Sequence, residues 1–228
     1  MSSHGYKPKT ICCLLLSLTL ALTGLCAHAK GTVQRPSALQ TISISPNVDI
    51  TDDPDFDGIR RFWGTELAKA ADAPPTVKTK DQDHLLKLFM EHNHIDLQKM
   101  ALEEITARFS APDLPVTVSA EGAQAELQIH IGSYGVYGAN KFGDRVYPAI
   151  EIELVLNKPG EVTIWDEGEK LKDPQETGIE PRPFQNYLDD PKILEDQFRQ
   201  LLHMAAQRFA DTLVIDHADG DINLARKK

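Results

Sequence analysis

Apolar and polar positions alternate most strictly in "AELQIHIGSYGVYG", where Leu127, Ile129 and Ile131 are interleaved with Gln128 and His130. "VYPAIEIELVLNKPGEVTIWDE" repeats the pattern, with Ile150, Ile152, Leu154 and Leu156 set against Glu151 and Glu153. After the Lys158-Pro159-Gly160 turn, Val162 and Ile164 continue it. A period of two over consecutive segments joined by tight turns predicts antiparallel strands with one buried and one wet face. "LQTISISP" predicts a shorter strand that Pro46 is expected to end, and "PVTVSA" a brief one.

Elsewhere the spacing changes to three and four. Leu194, Phe198, Leu201, Leu202, Ala205, Phe209 and Leu213 form one apolar stripe, preceded by Asp190 as cap and Pro191 at the first helical position. Leu85, Leu86, Leu88 and Phe89 give another segment an apolar side, with Thr79 and Gln82 placed as a capping box. Beyond "HNH", Asp96 heads a run of Leu97, Met100, Ala101, Ile105 and Phe109 that Pro112 and Pro115 end. The pattern allows one long helix or two here. "IRRFWGTELAKAADAPP" reads as a short helix stopped by Pro74-Pro75, with Gly64 against it. Residues 171–191 hold four prolines and no period, which predicts a long loop. This order of elements predicts an α+β domain of two layers, a mainly antiparallel sheet covered by helices on one face.

Composition changes the picture chiefly at the start of the chain. Lys7 and Lys9 precede an apolar stretch from Ile11 to Leu25, and Ala27-His28-Ala29 supplies small residues where a signal peptidase reads. The stretch is short of the about 20 residues that span a bilayer. Residues 1–29 therefore read as a secretory signal peptide cleaved near Ala29, which places the protein in the periplasm or outside the cell. Residues 30–38 follow as a flexible lead-in, 39–216 as a single domain and 217–228 as a polar tail. Leu25 stands where a lipoprotein signal has a small residue, so lipid anchoring at Cys26 is not expected.

All three cysteines (Cys12, Cys13, Cys26) fall in the leader, so the mature chain is expected to have neither disulfides nor thiolate chemistry. The leader carries two lysines and no acids, so its removal takes the net charge from −10 to −12. Nucleic acid is a poor partner for such a chain, and no stable membrane span is expected in the mature form. Self-association stays open.

Three groups of residues invite a chemical reading. In "DPDFDG", Asp53, Asp55 and Asp57 with Gly58 match the start of a calcium-binding loop, but Gly64 stands where the closing bidentate acid belongs. The 52–58 segment is thus expected to be an acidic loop, with Asp55 or Asp57 capping the helix after it; a calcium-responsive module is the alternative. His84, Glu91, His92 and His94 lack the spacing of a zinc site, and His130 has no evident partner. His203 has Asp196 and Arg199 within two turns of its helix and reads as part of a surface charge group. Glu151 and Glu153, about 6.6 Å apart along a strand, could mimic a hydrolase carboxylate pair, yet alternating acids are ordinary on a wet face. No catalytic residue and no cofactor is assigned. The aromatic hairpin and the proline-rich segment supply the candidates for partner binding: Tyr134, Tyr137, Phe142, Arg145, Phe184 and Tyr187.

"AQAELQIHIGSYGVYG", "YPAIEIELVL" and "GEVTIW" resemble a group of bacterial envelope proteins in which an "adaeLxIxIxxYG" strand leads to "P-x-I-x-v-x-L" and "G-x-v-x-W" strands. The layout is similar to the small α/β domain of the curli-secretion lipoprotein and of the penicillin-binding-protein activator lipoproteins. It is also similar to the amino-terminal domain of the Tol-system propeller protein. The resemblance implies an envelope accessory or assembly role, non-enzymatic, acting through an envelope protein partner, and it carries over no catalytic residues.

Overall fold

The computed structural model describes residues 39–51, 54–57, 63–78, 81–140, 143–160 and 163–219. Residues 1–38 with Cys12, Cys13 and Cys26, as well as Asp53, Thr79, Phe142, Val162 and residues 220–228, lie outside the described residues. Seven strands, β1 (Thr41–Ile50), β2 (Asp55–Asp57), β3 (Thr117–Val118), β4 (Ala125–Gly138), β5 (Arg145–Asn157), β6 (Thr163–Leu171) and β7 (Arg182–Pro183), form one sheet. Among the described residues six helices accompany them: α1 (Trp63–Ala70), α2 (Gln82–His92), α3 (Leu97–Phe109), α4 (Pro174–Thr177), α5 (Phe184–Asp189) and α6 (Pro191–Asp219). The fold is α+β, as the alternation predicts.

The sheet is mixed. Its order is β3-β1-β4-β5-β6, and the long β4–β5 and β5–β6 ladders are antiparallel. β1 runs parallel to β4 along Ala125–Ile131, and β2 continues along the same edge against Gly135–Tyr137. Pro46 does not end β1. It sits, exposed, where the register shifts between Ile44 and Val48, and the strand resumes beyond it. Irregular pairing of this kind is where a residue without an N–H is tolerated within a strand.

One face of the sheet is covered. Leu127, Ile129, Ile131, Ile150, Ile152, Leu154 and Leu156 are buried, and they share a core with the α3 and α6 stripes. Gln128, His130 and Glu153 lie on the other face, Glu153 exposed and the other two half-buried. The "HNH" segment resolves into two helices. Asp96 caps α3 by accepting from the Lys99 N–H at 2.9 Å. Asp190 accepts from the Lys192 N–H at 3.2 Å at the start of α6. That helix outlasts its apolar stripe and reaches Asp219, and near its end His217 Nε2 meets the Leu39 carbonyl at 3.1 Å. The polar tail is therefore helical at its start.

The 171–191 segment is not an open loop. α4, capped by Asp173 and closed by Gly178 at φ 67°, is followed by β7 on β5 and by α5. The short elements are pinned by distant partners, so no local period announces them.

Candidate functional site

The acidic "DPDFDG" stretch contributes a strand. Asp55–Asp57 pair with Gly135–Tyr137, and the Tyr137 hydroxyl donates to Asp55 Oδ2 at 2.6 Å. A Cβ on Gly135 would overlap the Asp55 carbonyl, so only glycine lets β2 approach this closely. The junction between Asp57 and α1, where the cap expected of Asp55 or Asp57 would act, lies outside the described residues. The ring of Phe56 instead meets Phe184 edge-on at 5.2 Å, and Trp63 meets the same ring at 5.2 Å. Among the described residues no three His, Cys, Asp or Glu side chains gather as a metal-binding group.

Three of the partner-binding candidates are core residues. Phe184 is 1% exposed, held between Phe56 and Trp63. Tyr187 is 0% exposed; its hydroxyl donates to Gln197 Oε1 at 2.8 Å with the Val146 carbonyl at 3.2 Å, and burial pushes its pKa up to about 12. Tyr134 is 6% exposed, because the register shift after Ile131 turns it to the helix side. Tyr137 and Arg145 remain nearer the surface. Tyr137 stacks on Tyr147 at 6.4 Å with Lys172 Nζ 5.6 Å from its ring, and Arg145 donates to the Pro181 carbonyl at 3.2 Å.

The carboxylates and histidines are dispersed among partners. Glu151 takes Lys170 at 2.7 Å and Lys172 at 3.6 Å, and the Lys170 hydrogen bond holds its carboxyl below the ordinary glutamate value against the opposing effect of burial. His130, opposite Glu153, meets Asp49 at 3.3 Å across β1. His203 pairs with Glu104 of α3 at 3.2 Å rather than with its own helix. A neighbour two turns away on α6 is no rival for a carboxylate on the facing helix.

Among the described residues, a cleft of about 620 Å³ opens at the elbow between α2 and α3. Its apolar floor comes from three separate segments: Ile50 of β1, Met90, Ile95 and Leu97 around the elbow, and Tyr134 of β4. The rim carries Lys87, Glu91, His94, Asp96 and Lys99. His94, Ile95 and Met90 close α2 in a Schellman motif, with the Ile95 N–H on the Met90 carbonyl at 2.9 Å and the His94 N–H on that of Glu91 at 3.2 Å. His94 therefore adopts φ 59° where glycine is the favoured residue. Of the "HNH" residues, His94 lies on this rim. Sequence alone signals only that a helix breaks there; the cleft needs β1 and β4 to complete it.

No family model matches the chain, and no curated protein does. Among solved structures it is similar to a Xanthomonas campestris protein assigned to the DUF330 family, at 10% identity and a TM-score of 0.44, over 83% of this chain and 91% of that one. It is also similar to a hypothetical protein of Chlamydia trachomatis, at 12% identity and a TM-score of 0.37, over 81% of this chain and 98% of that one.

Proposed function

We propose that the protein is a non-enzymatic, exported accessory protein of the bacterial envelope that works by binding another protein. The observation that carries this reading is the elbow cleft. An apolar floor beneath a charged rim is the arrangement of a binding hot spot surrounded by polar residues. Its volume lies within the range of ligand-sized sites. The apolar leader ending in Ala27-His28-Ala29 supports export. The lysine partners of Glu151 support a non-catalytic role for that carboxylate, since a base held by two cations is a weak one.

The test is photo-cross-linking in the envelope with a reactive residue at Glu91, on the rim, and in a second variant at Asp211 of α6. Asp211 faces Arg108 near the far end of α3 from the cleft. A discrete adduct with one protein from Glu91 and none from Asp211 is expected. No adduct from Glu91 overturns the reading.

A further inference from the structure

We infer that the cleft takes one large apolar side chain of a peptide segment whose flanking residues carry both charge signs, and that His94 is a recognition residue of this site. The inference rests on the protein-binding reading of the cleft. Two observations carry it independently.

The first is the distribution of charge over apolar surface. Met90, Ile95, Leu97 and Tyr134 belong to the core and line the cleft with the small part of each that stays uncovered, so its depth is an apolar edge of the core. Around it stand one cation and one anion on each side of the His94 turn, Lys87 with Glu91 before it and Asp96 with Lys99 after it. Such a rim has no net field to concentrate an anion or a nucleic acid. It complements an apolar group whose flanks carry charges of both signs. A peptide supplies this arrangement, and a fatty acid, with one charged end, does not.

The second is His94 itself. At the position after the helix cap a left-handed backbone is required, and a side chain with a Cβ is disfavoured there by about 1 kcal/mol relative to glycine. Glycine would close α2 equally well. An imidazole on the rim of the cleft adds nothing to that closure, whereas it can both donate and accept toward a bound main chain. Backbone conformations of this kind concentrate at binding sites.

Two requirements follow for His94→Gly: it should melt higher than the wild type, and it should bind more weakly. A merely structural histidine would give the first effect without the second. The experiment pans a random-peptide display library against the purified protein, then titrates the consensus peptide on wild type, His94→Gly, Glu91→Arg and the outer-face control Glu153→Gln. Dodecanoate is titrated in parallel. The expected result is a consensus of one large apolar residue flanked by charges. Binding should weaken about tenfold in His94→Gly. Glu91→Arg should shift the preferred flanking charge, and Glu153→Gln should bind as wild type. Enriched peptides that bind all four proteins equally overturn the cleft as their site, while an adduct in the cross-linking experiment would leave protein binding itself standing. Dodecanoate binding without any peptide consensus overturns the peptide, and no enrichment at all overturns the inference.

Discussion

Glu151 and Glu167 lie on the same sheet in opposite circumstances. Glu151 belongs to a central strand and faces outward, where Lys170 and Lys172 neutralise it. Glu167 belongs to the edge strand β6 and stands opposite Leu154, so it faces the helices. Burial and then repulsion from Asp216, Asp166 and Glu169 raise its pKa above the ordinary value of 4.5. The register shift near Leu156 creates the second situation, because it brings Trp165, Glu167 and Glu169 to the side that Leu156, Leu154 and Ile152 occupy. An inward charge on an edge strand weakens packing, and it also discourages another chain from adding to that edge. Alternation decides which face a glutamate takes only until a bulge intervenes.

The largest effect should come from dismantling the corner that holds Glu167. Trp165 is buried and donates from Nε1 to Asp216 Oδ2 at 2.9 Å. Trp165→Ala should lower stability by about 3–5 kcal/mol in denaturant unfolding. Next, Glu167→Gln should raise stability at neutral pH by about 0.5–1 kcal/mol, because it removes a charge from a half-buried site among acids. The sign of the pH dependence follows from the raised pKa. The folded state holds this proton more tightly than the unfolded one, so the contribution is present at low pH and is lost as pH rises above 4.5 through the folded value. Thermal melts of wild type and variant across that window should diverge as pH rises.

Glu151→Gln should act the other way and more weakly, lowering stability by about 0.5 kcal/mol and less at high salt, since Lys170 is 71% exposed. With its pKa lowered, Glu151 stabilises the fold above 4.5 and loses that contribution as pH falls through the folded value. Comparing the variant with wild type in low and high salt separates the ion pair from packing. Glu153→Gln should be the smallest, with no measurable change in melting temperature, as befits an exposed position.

The elements legible in the sequence are those whose own residues carry the period. β4, β5, α3 and α6 bury the residues that the pattern selects, and Asp96 and Asp190 cap where their side-chain chemistry places them. What escaped was settled at a distance. Asp-Phe-Asp has no strand pattern and becomes β2 only because Gly135 admits it. Phe184 and Tyr187 look like surface aromatics in a proline-rich stretch, yet their spacing of three, on one side of a helical turn, was the available sign of burial. Tyr134 changed face through a register shift that no alternation can announce. The cleft draws on three segments, and only the break between α2 and α3 was visible beforehand.

The parallel placement of β1 beside β4 has a consequence in time. Thr41 receives its side-chain acceptor from Gln124, a separation of 83 residues, and every ladder bond of β1 to β4 spans a comparable distance. A chain made from its amino end must carry β1 unpaired while α1, α2 and α3 emerge and until β3 and β4 follow. The β4–β5 hairpin, by contrast, closes locally. Loop closure disfavours the distant pairing until that hairpin offers an edge, so β1 is the late arrival in folding. The interval before it docks is when the chain is most exposed to a chaperone, or to a second copy of itself.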